Sequence, residues 1–141
     1  MYRKPMVLVV DDDQDDRDLL LHIYQSHALA DIDLHILESS DELFNLLKQG
    51  ITPDLLILDQ NMPRLSGLEI LAKLRKDGRY ESLSILLFTT VMDDALCQSA
   101  FDLGANGVYK KPVYYKDFKE VFLCVLYYAE ECEQGVRYHP H

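Results

Sequence analysis

The chain predicts an α/β protein: a doubly wound, five-stranded parallel sheet with helices on both faces. Three observations carry this. Short apolar runs at 6–10, 55–58 and 85–88 are too brief for helices and lack polar alternation. They read as strands buried on both faces, as in a parallel sheet. Between them, apolar residues recur at helical spacing, and strand and helix alternate five times through short connections with no internal repeat. That pattern predicts βαβ units with right-handed crossovers in a three-layer sandwich.

The first strand, Met6 to Val10, stops at Asp11-Asp12-Asp13. A helix over Gln14 to His27 follows, with Leu19, Leu20, Ile23 and Tyr24 at helical spacing. Acids crowd its first turns, where the helix dipole favours them. Asp13, Asp15, Asp16 and Asp18 are therefore expected to be solvated, without a metal role. Ile32 to Glu38 alternates Ile32, Leu34 and Ile36 against Asp33 and His35, marking an edge strand. Ser40 is expected to cap a short helix, lined by Leu43, Phe44, Leu46 and Leu47, that ends at Gly50. The third strand, Leu55 to Asp59, ends on an acid, and Pro63 and Gly67 turn the chain into a helix over Ser66 to Lys76. The strand Ile85 to Phe88 closes on Thr89-Thr90, and a helix over Asp93 to Asp102 ends by Gly104. Val108 to Lys110 is a brief strand before Lys111-Pro112, and the last helix runs from about Lys116 to Glu133. There Phe118, Val121, Phe122, Val125 and Ala129 share one face, with Leu123 and Tyr127 on the other. Those two, with Tyr114, Tyr115 and Tyr128, offer a partner or homodimer face. An edge strand at position two and buried runs at one and three suit the order 2-1-3-4-5. The topological switch then falls between strands one and three, where ligands collect at carboxyl ends.

At 141 residues the chain is long enough for one domain with a proper core, and 48% apolar with 27% charged residues is ordinary for a globule. The expected division is a domain over 1–133 and a polar tail over 134–141, with no output domain. A net charge of −10 works against a phosphate-backbone partner, so nucleic acid is not expected. Cys97, Cys124 and Cys132 form no CxxC pair and read as reduced, mostly packed thiols; the five histidines show no ligand spacing. The apolar run near the N-terminus is too short for a signal peptide or a bilayer span, which points to the cytoplasm.

The strand tips bring together Asp11 and Asp12, Asp59, Thr89 and Lys111. Carboxylates this close repel one another and call for a cation. Oxygen-only ligands favour a hard ion, Mg2+ with several waters retained. A carboxylate is also a competent nucleophile towards phosphorus, and phosphoryl transfer needs little beyond positioning and charge neutralisation. The metal and Lys111 would supply the charge, and Thr89 a hydrogen bond.

These residues carry a resemblance. Val9-Val10-Asp11-Asp12, Asp59-Gln60-Asn61-Met62-Pro63 with Gly67, Thr89, Gly104-Ala105 and Lys111-Pro112, in this order and spacing, resemble a response-regulator receiver domain of two-component signalling over nearly the whole chain. The resemblance implies a flavodoxin-like fold and a phosphoacceptor signalling domain rather than an enzyme. Asp59 would accept phosphate from a sensor histidine kinase or phosphotransfer protein, and the signal would pass to an unknown downstream protein by contacts. Asp12 and Asp59 would ligate Mg2+ directly, Asp11 through water and Asn61 through its backbone carbonyl. Thr89 would swing to the phosphoryl group, Lys111 would pair with it, and the Lys111-Pro112 bond would be cis. The opening Asp11 to Arg17, the long Gly78 to Leu83 connection and the tyrosine-rich last helix also resemble single-domain, bacteriophytochrome-linked receivers.

The chain departs from that pattern at Val108, where the family carries an aromatic; Tyr109 stands one residue on, which in a strand is the opposite face. Phosphorylation is expected to persist with a differently repacked output surface. Val91, two residues past Thr89, cannot orient a water, so a long-lived acyl phosphate is expected. Two other classes compete with this one. Asp11-Xaa-Asp13 also resembles the haloacid-dehalogenase phosphatases, but Asp15 stands where those want Thr or Val, and a cap insertion is lacking. A receiver-like docking module that takes no phosphate would usually have an eroded acidic site.

Overall fold

A computed structural model describes residues 4–26 and 31–133, the side chains of 127–133 excepted. The predicted tail 134–141, His27, and the side chains of Tyr127, Tyr128, Ala129 and Cys132 lie outside the described residues. In chain order the elements are β1 (Met6–Val10), α1 (Gln14–Ser26), β2 (Asp33–Leu37), α2 (Ser40–Lys48), β3 (Leu55–Asp59), α3 (Gly67–Arg75), β4 (Ser84–Thr89), α4 (Asp94–Asp102), β5 (Gly107–Lys110) and α5 (Tyr115–Glu133). A 3-10 turn at Gly78–Tyr80 occupies the long connection before β4.

All strand pairs are parallel and the order is β2-β1-β3-β4-β5, as the buried and edge patterns predict. β3 and β4 are buried throughout, which is why their sequences do not alternate. One layer packs Leu20 and Ile23 of α1 and Phe118, Phe122, Val125 and Leu126 of α5 against Val7, Val9, Leu55, Ile57, Leu86 and Phe88. The other packs Leu43, Leu47, Ile70, Leu71, Leu74 and Ala100 of α2, α3 and α4 against Leu8, Val10, Leu56, Leu58, Ile85 and Leu87. Successive strand residues thus serve opposite layers.

Several local expectations need correction. The cap of α2 is Ser39, whose hydroxyl accepts from the Glu42 N–H; Ser40 is already helical and buried. The cap must sit where backbone is still extended, and Ser39 does (φ −152°, ψ 159°). Leu126 joins Phe118, Phe122 and Val125 in the buried stripe of α5, and Leu123, expected on the opposite face, packs against its margin. Cys97 is half-buried and Cys124 exposed, so the latter is not a packed thiol. No described peptide bond is cis, so Lys111-Pro112 has the trans geometry that even a tertiary amide prefers.

Candidate functional site

The site is built where β1, β3, β4 and β5 end together. Hydrogen bonds continue the sheet just past its strands and fix each tip. Asp11 N–H donates to the Leu37 carbonyl (3.0 Å), Gln60 N–H to Phe88 (3.1 Å) and Lys111 N–H to Thr89 (2.7 Å). Gly67 lets the loop after β3 fold back on Asp59. A Cβ there would lie 2.9 Å from the Asp59 carbonyl oxygen and 2.8 Å from Leu87 Cδ2. Asp13 caps α1 through its carboxylate, which accepts from the N–H groups of Asp15 (2.8 Å) and Asp16 (3.3 Å). The first turn of α1 is thereby set beside the strand tips.

Asp11, Asp12 and Asp59 each place a carboxylate oxygen within 4.8 Å of the others. Asp11 is 2% and Asp59 5% exposed, while Asp12 is open to solvent. The Lys111 ammonium enters the same space, 2.7 Å from Asp11 Oδ2, 2.8 Å from Asp16 Oδ2 and 3.2 Å from Asp59 Oδ1. Beneath lie Val9, Leu20, Ile57, Phe88, Phe118 and Phe122, an apolar floor that withholds solvation from the charges above.

That burial dominates the acids. It pushes the Asp59 carboxyl up to about 7, against the ammonium of Lys111 and with help from the negative charge of Asp11. Burial also raises Asp11, although Lys111 opposes it. For Lys111, burial pulls downward, but hydrogen bonds to Asp11 and Asp16 and the nearby negative charge more than reverse it. The ammonium is therefore the permanent charge here, and the carboxylates adapt to it. Three hard oxygen donors, two of them poorly solvated, suit a divalent cation that retains water.

The remaining predicted residues fall around this centre. Thr89 is fully buried at the tip of β4, its hydroxyl donating to the Val91 carbonyl (3.0 Å) and accepting from the Val91 N–H (3.3 Å). Asn61 stands two residues after Asp59, its N–H donating to Asp59 Oδ1 (3.3 Å) and its amide to Thr90 Oγ1 (3.3 Å). Val91 is 67% exposed. Val108 packs on the α2–α4 layer and Tyr109 on the α1–α5 layer, the two faces their spacing implies. Asp16, expected to be solvated, is instead a partner of the buried lysine. A signal existed. Asp16, Leu20 and Ile23 stand at i, i+4 and i+7, and the last two are the buried residues of α1. Asp16 therefore belongs to the inward face, and its depth beside the strand tips lets it reach Lys111.

Five parallel strands in this order, with a carboxylate triad and a lysine at the switch point, define a phosphoacceptor class of α/β domain. A family model described as the response regulator receiver domain matches residues 7–122. The chain belongs to that family, a phosphoacceptor signalling module of two-component systems rather than an enzyme. It is 32% identical over 106 residues to a chemotaxis protein CheY homolog of Campylobacter jejuni, covering 75% of this chain and 80% of that protein. It is 31% identical over 107 residues to protein RcaC of Microchaete diplosiphon, covering 76% of this chain. There it spans only 16% of the relative's length. Among solved structures, the phosphorylated cyanobacterial phytochrome response regulator RcpA superposes with a TM-score of 0.81. That match covers 91% of this chain and 95% of that one at 18% identity, a likeness of fold. Among the described residues, no helix is long and apolar enough to cross a membrane.

Proposed function

We propose that the chain is a cytoplasmic response-regulator receiver that takes a phosphoryl group on Asp59 from a phosphohistidine of a sensor kinase or phosphotransfer protein. It then signals to a downstream protein by contact. The observation that carries this is the placement of Asp59: at a strand tip, with an ammonium 3.2 Å from its oxygen and two further carboxylates beside it. In the transfer an Asp59 carboxylate oxygen forms a P–O bond as the donor's P–N bond breaks. The imidazole leaves with that electron pair, and the product is an acyl phosphate. Lys111 would exchange its contact with Asp59 for a phosphoryl oxygen. Thr89 would release the Val91 carbonyl and donate to another. Asp11, Asp12, Asp59 and the Asn61 carbonyl are the groups that would hold Mg2+. When bound, that ion offsets the charge gathering on the phosphoryl oxygens.

The test is intact-protein mass after incubation with acetyl phosphate and Mg2+, for wild type and Asp59→Asn. The expected result is a Mg2+-dependent adduct on wild type alone. An adduct that persists on the Asn variant would assign the chemistry to another carboxylate. No adduct on either would favour a docking module that works without phosphate.

A further inference from the structure

We infer that Asp16 is a positioning residue of this site. By holding the Lys111 ammonium on the α1 side, it sets how the site divides its attraction between a divalent cation and an anionic phosphodonor. The inference rests on the reading of Asp59 as phosphoacceptor.

An ammonium has three donors; Lys111 gives two of them to Asp11 (2.7 Å) and Asp16 (2.8 Å) and stands in an ion pair 3.2 Å from Asp59. Asp11 and Asp59 also belong to the triad whose oxygens converge within 4.8 Å; Asp16 does not. Two partners therefore draw the ammonium into the space a metal would share, and the third draws it outward. The third is well anchored. Asp16 lies in the first turn of α1, its own N–H bonded to the capping Asp13 carboxylate, on the helix face that buries Leu20 and Ile23. Its carboxylate remains partly in contact with water (27% exposed), whereas those of Asp11 and Asp59 are buried.

Removing this charge has two consequences of opposite sign. The ammonium, left with Asp11 and Asp59, competes harder with a cation for the same oxygens, so Mg2+ binds more weakly. One negative charge fewer faces an incoming phosphate, and Lys111 has a donor to spare for it, so an anionic donor is captured better. A merely structural loss would weaken both.

The experiment uses the full chain as wild type, Asp16→Asn and Asp15→Asn. Asp15 is exposed, shares the same helical turn and is not a partner of Lys111. Mg2+ affinity is read by titration calorimetry. The initial rate of the acetyl phosphate adduct is read by intact mass at saturating Mg2+ and sub-saturating donor. For Asp16→Asn, Mg2+ affinity should fall and the adduct rate rise, each by roughly three- to tenfold, as couplings between touching charges allow. Asp15→Asn should stay within about twofold of wild type on both readouts, the small effect expected of an exposed charge. Equal shifts in the two variants, or both readouts falling together in Asp16→Asn, would overturn the assignment. A wild type that takes no phosphate would overturn the phosphoacceptor reading instead. The Mg2+ titration would then decide alone: weakened affinity in Asp16→Asn supports the role of Asp16, and unchanged affinity refutes it.

Discussion

Asp59 should weaken the metal-free fold that carries it. Its carboxyl is pushed from 3.8 to about 7, first by burial on an apolar floor. An acid with a raised folded-state value keeps its proton in the fold while the unfolded chain has lost it. The associated stability is complete below about 4, erodes as pH rises, and is gone above about 7. At about 1.4 kcal/mol per unit, the full interval is worth roughly 4 kcal/mol, an upper bound because Lys111 and Asp11 titrate in the same field. Asn in place of Asp59 carries no titrating proton, and Lys111 keeps Asp11 and Asp16 as partners. Asp59→Asn should therefore be more stable than wild type in EDTA, and the gap should widen by about 2 kcal/mol between pH 5 and pH 8. For a domain of this size that is about 6 °C in Tm. Millimolar Mg2+, which binds the folded wild type, should close much of the gap. Paired thermal melts at several pH values suffice, since titrations remote from Asp59 cancel in the difference. A gap constant with pH, or an Asn variant that melts lower at pH 8, would refute the burial argument.

Lys111→Met strands Asp11, Asp16 and Asp59 without their shared cation. It should cost about 3–5 kcal/mol in EDTA by urea unfolding, with partial recovery on adding Mg2+. Arg75 ties the end of α3 to two loops, donating to the Gly104 (2.9 Å) and Tyr80 (2.8 Å) carbonyls and to Asn106 Oδ1 (3.0 Å). Arg75→Ala should lose about 2–3 kcal/mol by the same assay while the phosphorylation rate of Asp59 stays near wild type. Val91→Asn, which places a polar group beside Thr89, should shorten the acyl-phosphate lifetime by on the order of tenfold, followed by loss of the mass adduct. A half-life of seconds in wild type would contradict the protective role given to Val91.

How much of this was legible in the sequence follows from what each signal encodes. The strand order was readable because doubly buried strands have no polar positions and the edge strand does, so β1, β3 and β4 separated themselves from β2. Asp11, Asp12, Asp59 and Lys111 were readable because each stands within two residues of the end of an apolar run, and topology alone brings strand ends together. The cap of α2 is legible only to within one residue, because Ser39 and Ser40 are chemically alike and only backbone angles tell them apart. Asp16 was hidden by its neighbours. In a run of six acids from Asp11 to Asp18, charge looks uniform, and the inward face of α1 emerges only when Leu20 and Ile23 are counted back by whole turns.

The position of Tyr109 bears on how a phosphorylated site would communicate. Thr89 now spends its hydroxyl on the Val91 carbonyl, so engaging a phosphoryl oxygen vacates that end of the β4–α4 loop. A side chain on the same sheet face as α4 could follow such a motion. Val108 is on that face, but it has no ring to rotate. Tyr109 has the ring but packs in the α1–α5 layer, separated from α4 by the sheet itself. Parallel strands do not exchange faces without slipping register, and β5 is held against β4 from Leu86↔Gly107 to Thr89↔Lys110. In a Mg2+–beryllofluoride complex, which presents a phosphoryl mimic at Asp59, Val108 should stay in place, Tyr109 should keep its packing and α4 should not shift. A crystal structure of that complex showing an aromatic swing onto the α4 face would refute this. The unswung outcome would place the phosphorylation-dependent change in the β4–α4 loop, around Val91 and Met92, both exposed.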